Sequence, residues 1–187
     1  MPLIPPGVLA ALGGYFFTYY NTRITEERKA QIERINEQVR NLYGPLLACV
    51  TASKSAFDAM CRQHSPDGSS KTFIDAIRSD PGSREGHIYR QWMRAVLQPL
   101  NEKAKDIIVK HADLLQSTHM EPLLLQLVAH VSAYQVILQR WEEGHIEEWS
   151  AISYPNELHT YVTTEFQRVK QRQADLLGIK DGIRSKL

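Results

Sequence analysis

Apolar residues recur at alternating steps of three and four along most of the chain, and this spacing constrains the fold more than any other feature. Ile32, Ile35, Val39, Leu42, Leu46, Cys49, Ser53, Ala56 and Met60 trace one such stripe. An α-helix closes a turn in 3.6 residues, so the spacing lines a single face. Glu26, Glu27, Lys29, Glu33, Arg34, Glu37 and Arg40 take the other positions, as a solvated helix surface requires. The pattern predicts a helix over 22–64. Gly44 and Pro45 interrupt it, because a proline inside a helix removes one backbone hydrogen bond and crowds the preceding turn. The register runs through this point, which favours a kinked continuous helix over two helices joined by a tight turn.

The same reading continues downstream. Residues 64–70, HSPDGSS, form a turn-rich loop, and a short helix over 71–79 ends at Asp80-Pro81-Gly82. Ser83 can cap a long helix reaching Gln116, with Tyr89, Met93, Val96, Leu100, Ala104, Ile107, His111 and Leu114 as its stripe and Pro99 as a second kink. Pro122 opens the most regular helix, striped by Leu124, Leu127, Val131, Tyr134, Leu138 and Trp141 and stopped by Gly144. Pro155 precedes a last helix, with Leu158, Val162, Phe166, Val169 and Leu176 facing inward and Gly178 as its C-cap. Four long helices with one apolar stripe each describe an all-α antiparallel bundle over 23–178. No strand-like alternation runs long enough for a sheet. Residues 179–187 read as a flexible tail.

The N-terminal segment differs from the rest. Leu3 to Tyr20 contains no charged residue. A bilayer span takes ~20 apolar residues, with 17 at the short end. Pro5 and Pro6 stand where a helix can begin without losing a hydrogen bond. Tyr15, Phe16, Phe17, Tyr19 and Tyr20 gather at the other end, where an interfacial aromatic belt would lie. Ala10 with Gly14, and Gly7 with Ala11, make small-xxx-small pairs that admit a close neighbouring helix. Residues 1–22 are therefore expected to form a single transmembrane anchor. A cleaved signal peptide would need a basic start and an A-x-A site, which are missing. A buried or interfacial helix is the third reading. Arg23, Arg28, Lys29 and Arg34 follow the segment, so the positive-inside rule puts the body on the cytoplasmic side, or on the matrix or stromal side of an organelle.

Charge narrows the partners. With 22 basic and 21 acidic residues the chain carries a formal +1, without the basic surface that nucleic-acid binding needs. Cys49 and Cys61 fall twelve residues apart on one helix, roughly 18 Å of rise. A disulfide needs Cα atoms within about 7 Å, so the two read as unpaired core residues.

Seven histidines invite a metal or haem. A ferritin-like di-iron site needs a Glu-x-x-His motif on each of two core helices, whereas the one such motif here, Glu142 to His145, crosses Gly144 at a helix end. His111 and His130 fall on or beside the stripes of neighbouring helices. They read as core histidines bonded to a hydroxyl or carbonyl, or alternatively as ligands for a metal, haem or small molecule. The run from Trp141 to Trp149, WEEGHIEEW, is either a docking loop or a loop that tucks both rings over the bundle end. No nucleophile elbow, zincin motif, phosphate loop or dinucleotide fingerprint occurs, and no cofactor is implied.

Leu42-Tyr43-Gly44-Pro45-Leu46 ahead of a Ser/Ala-rich helix is similar to a segment of an uncharacterised membrane-anchored helical family. So are Ala129-His130-Val131 with Tyr134, Trp141-Glu142-Glu143-Gly144, and Leu176-Leu177-Gly178. The resemblance spans most of the soluble body and implies a helical fold, but no activity. The expected function is that of a non-enzymatic, membrane-anchored interaction or scaffold protein, an accessory subunit of a larger membrane complex. Its partners would be lipid and other membrane subunits, or a second copy of itself.

Overall fold

A computed structural model describes residues 6–116 and 119–179, with only the backbone described at residues 6 and 8–12. The proposed tail from 180 onward and the side chains of Ala10 and Ala11 lie outside the described residues. Everything described is helix or connection, with no strand. Five rods follow in order: α1 (residues 6–64), α2 (Ser70–Ser79), α3 (residues 84–110), α4 (Pro122–Glu142) and α5 (Leu158–Leu177).

Rod α1 is continuous, and Pro45 acts on it without breaking it. Pro45 has no N–H to donate, and its ring crowds the turn before it. The helix widens there into a π-helical stretch, Gln38–Tyr43, in which the Gly44 N–H reaches five residues back to the Val39 carbonyl. A Cβ on Gly44 would lie 2.5 Å from that oxygen, so the wide turn needs glycine. Rod α3 repeats the device. Its π stretch Met93–Leu97 precedes Pro99, with the Gln98 N–H bonded to the Met93 carbonyl.

Each wide turn adds a residue to one step and moves some core positions by one, while Leu46, Ser53, Met60 and Ala104 stay buried where the spacing predicts them. Leu97, Ile108 and Val50 are buried, whereas the spacing predicts Val96, Ile107 and Cys49, which are only half-buried. The end of α3 also differs from expectation. The helix stops at Lys110 instead of reaching Gln116, and His111 leaves helical geometry at φ −119° and ψ 27°. One 3₁₀ turn, Ala112–Leu114, follows.

The other termini follow their cap residues. Ser69 and Ser83 accept from the Thr72 and Gly86 N–H groups, each at 3.1 Å. Gly178 takes φ 70° and closes α5, as only a residue without Cβ does freely.

The core divides into three layers along the bundle. Met60, Phe73, Tyr89 and Trp141 fill one end, and Leu46, Ala104, Leu127 and Val162 the middle. Ile35, Leu42, Tyr43 and Val169 fill the end nearest the N-terminus. Rods α1 and α3 pack most closely, flanked by α5 on α1 and α4 on α3. The buried polar side chains bond to one another or to backbone carbonyls, although the Gln98 Oε1 has no partner. Ser53 donates to Asn101 Oδ1 at 2.8 Å, and Gln38 and Gln98 donate to the Leu114 and Val131 carbonyls at 2.7 and 3.0 Å.

Only part of α1 belongs to the bundle. The last ties toward its N-terminus are Gln173 to Asn36 and the Arg28 guanidinium to the Leu176 carbonyl, the latter at 2.6 Å. That carbonyl is an orphan acceptor in the last turn of α5, where a cation is favoured. From Gly13 to Gln31 every residue is exposed.

Among the described residues one helix, α4, is long and apolar enough to cross a membrane by length and composition. It also supplies Leu124, Leu127, Val131, Tyr134, Ile137 and Trp141 to the bundle core. The described N-terminal helix does not meet that measure, so the expected single transmembrane helix over 1–22 finds no support by length and composition among the described residues. Beyond Leu12 it consists largely of Gly, Tyr, Thr and Asn, which gain little from leaving water, and its charges begin at Arg23.

Candidate functional site

The free part of α1 is the most unusual surface. Tyr15, Phe16, Phe17, Tyr19 and Tyr20 are 66, 64, 70, 56 and 66% exposed. Five aromatics in six positions cover an arc of about 200° of the rod, wider than one stripe, with Gly14 and Thr18 on the remaining side. Tyr15 stacks on Tyr19 and meets Phe16 edge to face, which leaves the outer ring faces open. At Gly7 and Gly14 an added Cβ would meet nothing within 4 Å. Below the rings come Arg23 paired with Glu27 and Lys29 paired with Glu26. The sequence places this feature well. It does not reveal that the bundle leaves it uncovered.

His130 is the best-defined histidine. It lies on α4 at 6% exposure, and its Nδ1 is 2.7 Å from the Ile152 carbonyl. A carbonyl only accepts, so Nδ1 carries the proton and Nε2 the lone pair. Burial lowers its pKa despite the opposing hydrogen bond, which keeps the ring neutral near pH 7. The ring packs 4.7 Å from Tyr134 and edge-on to Tyr154.

His111 is elsewhere, half-buried at the C-terminal end of α3. No hydrogen bond or ring contact joins the two histidines, because α3 stops at Lys110 and His111 becomes its C-cap. Among the described residues no three His, Cys, Asp or Glu side chains converge to hold a metal ion.

Both rings of the possible docking loop are turned inward. Trp141 is 6% exposed and donates its indole N–H to the Glu148 carbonyl at 2.8 Å. Trp149 stacks on Tyr89 at 5.4 Å. The Tyr89 and Tyr134 hydroxyls meet at 3.1 Å. Arg140 grips Glu148 through two nitrogens and also pairs with Glu143, fastening the loop to the end of α4. Burial, with Tyr134 close by, drives the Tyr89 hydroxyl pKa well up, and burial pushes Tyr154 up to about 12, so these phenols stay protonated. This cluster has the chemistry of a packed joint.

The cysteines are free, and burial pushes the Cys61 thiol up to about 11 and raises Cys49 as well. Neither supplies thiolate at neutral pH.

Two features escape the spacing argument. One is the pair of buried glutamines, Gln38 and Gln98, each beside a wide turn. The other is a polar groove where α1, α5 and residues 114–116 meet. The signal for both was the Gly44-Pro45 and Gln98-Pro99 pairs, since π turns concentrate at functional or strained positions. No family model, curated protein or solved structure matches the chain.

Proposed function

We propose that this chain is a non-enzymatic interaction protein anchored to a membrane through the free part of α1, and an accessory subunit of a larger membrane assembly. The observation that carries the reading is the rod exposed from Gly13 to Gln31, with five aromatics that its own bundle does not cover. An uncharged helical stretch with exposed aromatics is stable where lipid or another helix covers it. The rings lie at the edge of the uncharged stretch, where indole and phenol groups favour a membrane interface.

The anchor acts as a stem, since α1 runs unbroken from Pro6 into the core. The bundle therefore keeps a fixed height and direction relative to the membrane. The shortness of the apolar stretch, together with the open faces at Gly7 and Gly14, favours a neighbouring subunit's helix over lipid alone. The basic residues Arg23, Arg28, Lys29 and Arg34 favour a cytoplasmic, matrix or stromal body.

Purification in mild detergent after cross-linking in intact membranes tests this reading. Cross-links from cysteines placed at Gly7 and Gly14 should capture one defined neighbour, another subunit or a second copy. A lone monomer, recovered from the soluble fraction without a cross-link, refutes it.

A further inference from the structure

A groove of about 280 Å³ opens beside the π stretch of α1. Gln31, Arg34, Ile35 and Gln38 recur at helical spacing and form one wall, with Ile35 as a buried floor. Arg172 of α5 faces them, and Leu115 with Gln116 closes the side. The buried Gln38 amide is fixed at both ends, donating to the Leu114 carbonyl and accepting from Gln116 at 3.3 Å.

The charge in this groove is one-sided. No carboxylate lines it. Arg34 donates one Nη2 bond, at 2.8 Å, to the Asp113 carbonyl, a neutral acceptor that orients the guanidinium and leaves its charge uncompensated. Among the described residues Arg172 has no hydrogen bond or ion pair, and no carboxylate is within 4.0 Å of either guanidinium. The adjoining groove of about 170 Å³, across the Leu115–Gln116 wall, shows the contrast. There Arg168 pairs with Glu165, and Glu121 adds a second acid.

The geometry points to a binding site for a compact phosphoryl group, clamped between Arg34 and Arg172, with the Gln31 and Gln116 amides as further donors. Guanidinium forks match the oxygens of phosphate and give charge-assisted hydrogen bonds. The volume falls below the ~300–1,000 Å³ of pockets that hold drug-sized ligands, which favours phosphate or a small monoester.

The phosphoryl group comes from solution, not from a lipid headgroup. On the membrane reading above, Arg34 lies fourteen residues beyond Tyr20, about 21 Å of helical rise. Headgroups extend only about 5–8 Å past the hydrocarbon.

Titration calorimetry of the full chain in detergent, with inorganic phosphate as the probe, tests the site. Saturable binding at millimolar concentration or below is expected. Arg172→Gln, on an exposed face, should weaken it by about tenfold to a hundredfold with an unchanged melting temperature, and Arg172→Lys should fall between. Arg34→Gln gives an independent second loss. No saturation with phosphate, or an affinity unchanged from the parent protein in both glutamine variants, overturns the proposal. So does binding that appears only with phosphatidic acid in nanodiscs, which would make the headgroup the source.

Discussion

Placing a charge in the middle of the free rod separates what holds the bundle together from what holds the anchor. The midpoint of the uncharged stretch from Leu3 to Tyr20 falls near Gly13, within about 2 Å of helical rise. A Cβ at Gly13 would meet nothing within 4 Å, and no tie to α5 is made above Arg28. Gly13→Arg therefore leaves every core contact intact and adds helix propensity of up to about 1 kcal/mol. In hydrocarbon the same change costs about 2.5–3.5 kcal/mol at a helix centre. That corresponds to a loss of roughly 60- to 300-fold in the insertion equilibrium. Flotation with vesicles and resistance to alkaline extraction read the membrane side, while thermal unfolding of the bundle reads the other. The expected result is lost flotation with an unchanged or slightly raised melting temperature. If Gly13→Arg floats like the parent protein, the segment is not in hydrocarbon and the anchor reading fails.

Gly44→Ala should destabilise the bundle, although Gly→Ala in an ordinary helix stabilises by about 1 kcal/mol. The new Cβ would lie 2.5 Å from the Val39 oxygen, and crowding of this kind costs about 1–3 kcal/mol, giving a net loss of up to about 2 kcal/mol by urea denaturation. A more stable variant would contradict the π-turn account. Ser53→Ala removes the hydroxyl bonded to Asn101 in a site where both side chains are buried. Leaving the Asn101 amide unmatched should cost about 1–3 kcal/mol, read from the same denaturation midpoint, and a neutral result would mean the contact contributes nothing. His130 gives a pH dependence. Its folded pKa lies below the usual 6.5, so the stability contributed by the neutral ring is present above the unfolded value and is lost as pH falls from there through the folded pKa. His130→Gln should flatten the acid side of the stability profile below the unperturbed ~6.5, and an unchanged slope would show that another group titrates there.

The helices that the sequence reveals best carry strong local signals. Ser69 and Ser83 cap their helices, Gly178 ends α5, and α4 buries Leu124, Leu127, Val131, Tyr134 and Trp141 as its stripe requires. Spacing fails where a backbone effect changes the period. Around the turns before Pro45 and Pro99, Val50, Leu97 and Ile108 take core places that the spacing gives to their neighbours, while Leu46, Met60 and Ala104 keep theirs. Local pattern cannot show this, because proline in a helix can kink it, break it or widen it, and packing against neighbouring rods selects among these.

The site divides along the same line. The aromatic ring at residues 15–20 and its charged flank are matters of composition and order, legible without coordinates. That His111 and His130 do not meet, that Trp141 and Trp149 turn inward, and that Arg34 and Arg172 face one groove depend on residues far apart in sequence. Sequence alone determined an all-helical chain with a distinct N-terminal segment, since periodicity, caps and charge are local properties. The tertiary structure decided which helical faces are covered, because burial is a relation between elements and no single stripe contains it.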